Sequence, residues 1–219
     1  MSLDILYEDN HIIVVNKPYG LLSQGDSSHD MDLLTMVKEY IKEKYQKPGN
    51  VYIGLIHRLD RNTSGLMVFA RTSKAASRLS EEIRNNNFNK KYYAIVDGIL
   101  TGEATLTNYL IKDEKLLKAL PARKENGKLS ILHYKAIKSI NDTTLLDIKL
   151  ETGRFHQIRC QMSLINHPLS GDSLYGSKIN RKYALHAYEL SFIHPVTKEV
   201  LTFNKLPNDN RFKDYFSMS

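Results

Sequence analysis

Three short stretches hold the residues best able to do chemistry. The first is His57-Arg58-Leu59-Asp60-Arg61-Asn62-Thr63-Ser64-Gly65, which sets one carboxylate between two guanidiniums, just ahead of the apolar run Leu66–Ala70. Nearby cations favour the ionised form of a carboxylate, and an ionised carboxylate can act as a nucleophile. The same spacing also suits a salt-bridged surface turn braced by Asp60. The second stretch is Gly153-Arg154-Phe155-His156-Gln157-Ile158-Arg159, at an expected strand-to-helix junction. Helix-start N–H groups and two arginines would attract a carboxylate or phosphate; a glycine turn with Arg154 in a structural pair accounts for it equally well. The third is Tyr92, within an alternating strand pattern. Its hydroxyl can transfer a proton or touch a bound base, although a strand tyrosine more often packs in a core.

Other chemistries lack their residues. The eight histidines form no HxH, HExxH or Cys/His cluster, and neither a P-loop nor a GxGxxG occurs, so no metal and no cofactor is expected. A kinase reading of His57–Asp60 fails for want of a glycine-rich loop and a later Asp-Phe-Gly.

These groups must be positioned by regular elements. Residues 3–7 and 12–16 read as strands joined by a turn, the second stopped by Lys17-Pro18 and Gly20. Asp30 or Ser28 is expected to cap a helix running to about Tyr45, with Leu33, Val37, Tyr40 and Ile41 at helical spacing. Residues 66–70 read as a strand, and Thr72 as the N-cap of a helix carrying Ala76, Leu79 and Ile83 on one stripe. Further strands are expected at 91–96, 104–111, 131–138, 144–150, 184–192 and 199–206. A helix is expected over 155–166, with Ile158, Met162 and Ile165 inward and His156, Arg159 and Ser163 elsewhere. The stretch 112–130 reads as a mobile basic loop or insertion. Strands outnumber helices and several are linked by short turns, which predicts an α+β fold on a large, mostly antiparallel sheet in one domain, 1–219.

Charge points to a partner. Residues 57–96 carry a net +5 and residues 112–135 a net +4, against −3 for residues 1–50. Central basic blocks of this kind suit a polyanion, because Lys and Arg neutralise phosphates and release counterions. The single cysteine, Cys160, excludes an internal disulfide framework and fits a reducing compartment. There is no secretory signal pattern and no apolar run long enough to span a bilayer, so a cytoplasmic protein without membrane association is expected.

In this order the three stretches resemble the RluA family of RNA pseudouridine synthases. The resemblance opens at ILYEDNHIIVVNKPYGLLSQ (5–24), with its Lys-Pro-x-Gly turn, and continues through HRLDRNTSGLMVFARTSKAASRL (57–79), NKKYYAIVDG (89–98), LETGRFHQIRCQMSLINHPLSGDSLYG (150–176) and LHAYELSFIHPVTKE (185–199). It implies a mixed sheet bisected by an active-site cleft, with flanking helices. It implies Asp60 as the nucleophile, Tyr92 as the tyrosine at the target base and a proton-transfer candidate, and Arg154 as the arginine that pairs with the aspartate. Arg58 is the motif arginine of RNA engagement and base flipping, and Ile158 the apolar residue near the base. Arg61, His156 and Arg159 complete the expected RNA-binding set. The implied substrate is a uridine in structured ribosomal or transfer RNA, isomerised without a cofactor and without a required protein partner, by a chain expected to be a monomer. Cys160-Gln161 replaces the small apolar residue and histidine that many members carry. Many members also carry an N-terminal S4-type RNA-binding domain; none is expected here, so the catalytic domain is expected to supply RNA affinity. A nucleoside or glycoside hydrolase would also use Asp60 but generally needs a second carboxylate, and none stands out in the three stretches. A non-catalytic RNA-binding module would need only the basic blocks.

Overall fold

In the computed structural model, which describes residues 3–26 and 30–217, the chain forms eleven strands. They are β1 (Asp4–Glu8), β2 (Ile12–Lys17), β3 (Gly54–Leu55), β4 (Ser64–Ala70), β5 (Asn89–Asp97), β6 (Glu103–Asp113), β7 (Lys118–Pro121), β8 (Lys128–Ile140), β9 (Thr143–Leu150), β10 (Leu185–Ile193) and β11 (Val200–Asn204). Four helices flank them: α1 (Leu33–Lys44), α2 (Ser73–Arg84), α3 (Gln157–Leu164) and the single turn α4 (Lys213–Phe216). The fold is α+β with mostly antiparallel strand pairing, as the sequence predicts. Two units condense from the chain, one from residues 3–89 and 187–206, the other from 90–186 and 207–217. Among the described residues no helix is long and apolar enough to cross a membrane.

In the first unit the strands run in the order β1-β2-β4-β10, with β11 on β10 and β3 on β4. Ile12 to Val15 of β2 are all fully buried, as is nearly all of β4. Strands covered on both faces lose the apolar–polar alternation and read as continuous apolar runs, which is why both stand out in the sequence. Helix α2 lays Ala75 and Leu79 on one face against Ile12, Val14, Leu66 and Val68. Its cap is Thr72, whose hydroxyl accepts from the Ala75 N–H at 3.1 Å. Helix α1 is capped by Asp32, which accepts from Thr35 N at 3.0 Å, two residues beyond the expected Asp30; Ser28 lies outside the described residues. At the head of β4, Gly65 has φ +121°, and a Cβ there would stand 2.3 Å from the Ala187 carbonyl oxygen. Only glycine allows β4 and β10 to approach this closely at that position.

The second unit is built on the order β5-β9-β8-β6-β7. Leu110, Ala119, Cys160 and Tyr175 form one core cluster, with Phe155 packed against it; Ile95, Leu145, Ala184 and Phe212 form another. Two expectations fail here. The stretch 112–130 is mostly hairpin: β7 pairs with the end of β6, Lys112 opposite Ala119, and a tight turn at Arg123–Gly127 leads into β8. Lysines on an outer strand read as loop, although they are what keeps an edge from pairing further. Helix α3 is shorter than 155–166 and is buried nearly all round, from Gln157 to Met162, so its polar residues do not face water.

Candidate active site

In the first unit Asp60 sits at the corner of a tight turn, with Thr63 N donating to the Asp60 carbonyl at 2.9 Å. That turn is fastened to the segment 17–23. Gly20 N donates to Arg61 O at 2.9 Å, and Arg61 Nε donates back to Gly20 O at 3.1 Å. The Ser23 hydroxyl both donates to Leu59 O (2.6 Å) and accepts from Leu59 N (3.1 Å). The centre of the clasp is Lys17, with no exposed surface at all. Its ammonium gives its three donors to the carbonyls of Pro18 (3.1 Å), Leu21 (2.6 Å) and Arg61 (3.1 Å). Burial draws its pKa down to about 7, opposed by attraction to the Asp60 carboxylate and assisted by repulsion from Arg61. A half-buried carboxylate thus sits on a turn fixed in place beside a buried amine.

Arg58 is exposed on the same turn, and Arg61 pairs with Asp30 at 2.9 Å. The Arg61 guanidinium therefore ties the turn together, a part that the RNA-contact expectation did not give it. Lys17 escaped the sequence reading. The available signal was a lysine ending a strand whose four leading residues are all apolar, directly before Pro18.

In the second unit Tyr92 is buried on β5, opposite Ile148 of β9. Arg154 is exposed in the loop after β9 and donates from Nε to Leu129 O at 3.0 Å. This loop is stapled by Gln157, another residue the sequence reading missed. Its Oε1 accepts from Arg154 N (3.0 Å) and from the Thr152 hydroxyl (2.9 Å), and its Nε2 donates to Ile131 O (3.1 Å). Gly153 leaves room for an amine: a Cβ there would meet Lys90 Nζ at 3.0 Å.

His156 and Arg159, expected to meet RNA, are instead seen engaged within the unit, His156 partly buried and Arg159 buried. Arg159 is buried and forks onto Asp172, Nε to Oδ2 at 2.6 Å and Nη2 to Oδ1 at 2.9 Å. Its guanidinium also lies over the rings of Tyr175 and Tyr183. Arg159 Nη1 meets His156 Nε2 at 2.6 Å, and His156 Nδ1 meets the Tyr175 hydroxyl at 3.1 Å. An arginine has only donors, so Nε2 must accept and Nδ1 carries the proton. Burial first, and then Arg159, push the His156 pKa down to about 3, so the ring is neutral at pH 7. Both residues brace the Arg154 loop from within. Ile158 is buried beside them.

Asp172→Asn is expected to leave the Arg159 charge without its counter-ion. Breaking a buried pair from one side costs about 3–5 kcal/mol, which lowers the melting temperature of a chain this size by roughly 6–20 °C. Thermal unfolding followed by circular dichroism measures it; a drop below about 2 °C would show that the pair is no brace.

Among the described residues no group of three or more His, Cys, Asp and Glu could hold a metal ion.

Comparison with known proteins finds relatives in both sequence and fold. Residues 11–164 match the family model described as RNA pseudouridylate synthase. The ribosomal large subunit pseudouridine synthase D of Zymomonas mobilis is 35% identical over 95% of this chain and 71% of its own length. Its namesake in Neisseria meningitidis is 34% identical over 95% of this chain and 59% of its own length. A Bacillus subtilis protein named uncharacterized RNA pseudouridine synthase YhcT is 34% identical over 99% and 73%. Among solved structures, human RNA pseudouridylate synthase domain containing 4 aligns with a TM-score of 0.79 at 24% identity, covering 94% of this chain and 89% of its own.

Proposed function

Because the chain belongs to the RNA pseudouridylate synthase family and is an RNA pseudouridine synthase, we propose that it acts on uridines of ribosomal RNA in the cytoplasm, with Asp60 as nucleophile. Relatives named for the large ribosomal subunit support the choice of RNA. The observation that carries the choice of nucleophile is the Lys17 clasp. It fixes the Asp60 turn and sets a buried amine near a carboxylate that remains partly accessible.

The reaction breaks the glycosidic C–N bond, turns the base and rejoins it through carbon 5. No atoms are gained or lost, so no cofactor is required. A carboxylate can attack the anomeric carbon or uracil carbon 6, and both routes end with loss of the proton from carbon 5. Tyr92 and Arg154 are proposed as the proton-transfer and aspartate-orienting residues on the strength of the motif blocks that hold them. A target base must leave its stack first, at a cost of roughly a few kcal/mol. Exposed Arg58, next but one to Asp60, is suited to hold a phosphate or fill the vacated space. The enzyme is proposed to work as a monomer without a protein partner.

The test is to map pseudouridines in total RNA from a deletion strain, and from the same strain restored with the natural gene or with Asp60→Asn. Sites present only with the natural gene identify the substrate. Restoration by Asp60→Asn would overturn the nucleophile, and sites confined to transfer RNA would overturn the choice of RNA. Free uracil as the main product would favour a hydrolase.

A further inference from the structure

The second unit carries a cavity in which Arg154, proposed above to act in the reaction, stands beside residues that the reaction does not use. It measures about 270 Å³ and is lined by Leu110, Lys112, Ala119, Lys128, Arg154 and Phe155, among others. Strand register explains its composition. Leu110 stands opposite Lys128 of β8, and Lys112, two residues on, stands opposite Ala119 of β7. Side chains two apart on a strand, and those directly paired across strands, share a face. Two lysines and two apolar residues therefore look the same way, towards the loop that presents Arg154 and Phe155.

Phe155 is half-buried and unusually well fixed. Its ring stacks on His156 with centroids 3.8 Å apart and planes 18° apart. The His156 ring is in turn held at both nitrogens, by Arg159 and by Tyr175, and the residue keeps a left-handed backbone at φ 49°. Lys112 Nζ lies 5.1 Å from the centre of the phenyl ring. Lys112 otherwise pairs with Glu114 at 2.6 Å, an exposed contact that a phosphate could replace at little cost.

We propose that this cavity is a second RNA subsite, taking one unpaired nucleotide of the RNA substrate. The base displaces the Lys112 ammonium from over the Phe155 ring and stacks there, opposite His156, and its phosphate is held by the displaced Lys112 and by Lys128. A rigid aromatic face ringed by cations is complementary to a nucleotide, in which a flat apolar base is joined to an anion; stacking of this kind tolerates any base. The subsite lies beside Arg154, on the loop assigned to the reaction, and it rests on the pseudouridine synthase reading above.

The test uses the full chain and total RNA purified from the deletion strain, with pseudouridine formation measured against RNA concentration. Phe155→Leu keeps an apolar side chain against Leu110 and Ala119 but removes the ring. It is expected to raise the half-saturating RNA concentration about tenfold and to leave the maximal rate within a factor of about two, while Phe155→Tyr recovers most of the affinity. The double variant Lys112→Gln, Lys128→Gln concerns exposed residues and tests the subsite independently of packing. It should reduce the slope of log affinity against log salt by about 1 to 2. Half-saturation unchanged in both the ring and the lysine variants would overturn the subsite, as would Phe155→Tyr losing as much as Phe155→Leu. If the natural protein forms no pseudouridine in this RNA, the synthase reading fails and the subsite falls with it. Activity with unaltered affinity rejects the subsite alone.

Discussion

Asp60→Asn is expected to reduce pseudouridine formation by about 10⁴-fold or more, the scale on which losing a nucleophile acts, with folding and RNA binding retained. The substitution is nearly isosteric. The bond that closes the turn uses the Asp60 carbonyl and the Thr63 N–H, which the amide does not alter. The neighbouring fastenings, Gly20 to Arg61 and Ser23 to Leu59, use other atoms. What the amide removes is the negative charge and with it the nucleophilic oxygen. The Lys17 ammonium also loses its attracting partner, so the pKa of that buried amine should fall further below about 7. Three measurements separate the consequences: product formation under single turnover, melting temperature, and RNA affinity. Residual turnover above about 1% of the natural rate would be too large for a missing nucleophile. It would make Asp60 a brace of its turn, the alternative that the arginine-flanked spacing left open.

That alternative shows where the sequence was informative. Strand β4 and helix α2 were legible because a fully buried strand and a capped amphipathic helix each follow one local rule, here the run Leu66–Ala70 and Thr72 with Leu79. The three chemistry-bearing stretches were legible as motifs. What each residue touches was not. Helical spacing turns Arg159 away from the apolar stripe; α3 is nevertheless buried nearly all round, and Asp172, thirteen residues later, supplies the counter-charge. No local pattern announces a partner at that distance. Arg61 was given to RNA, although its main-chain and side-chain atoms bind Gly20, some forty residues earlier. The hairpin within 112–130 was hidden by its lysines and Pro121. Its register becomes visible only once Lys112 is seen opposite Ala119.

Lys17→Met is expected to lower the stability of the fold by about 2–4 kcal/mol, and to do so more than it slows the folded enzyme. Two effects oppose each other. Methionine fills much of the lysine volume and removes a charge from a site with no exposed surface, which is favourable. It also takes three N–H donors from the carbonyls of Pro18, Leu21 and Arg61. Arg61 O keeps its bond from Gly20 N, but the other two carbonyls lose the donor that Lys17 supplied. A fully buried acceptor left without a donor costs about 1–3 kcal/mol, these two carbonyls are part-buried, and the Asp60 carboxylate loses its attraction to Lys17 as well. The losses outweigh the gain. Turnover suffers less, because the backbone pair between Gly20 and Arg61 and the two Ser23–Leu59 bonds still hold the Asp60 turn. A pH signature identifies the cause. The unfolded chain holds this proton up to the ordinary lysine value of 10.5, whereas the folded chain releases it near 7. Between those values the unfolded state binds more protons, so the contribution of Lys17 to stability rises with pH across that window. Urea unfolding at pH 6.5 and pH 9.5 reads it directly. The natural chain should gain stability from this residue at the higher pH relative to Lys17→Met. A difference between the two proteins that is the same at both pH values would mean that the buried amine keeps its charge throughout, held by its three carbonyls and by Asp60.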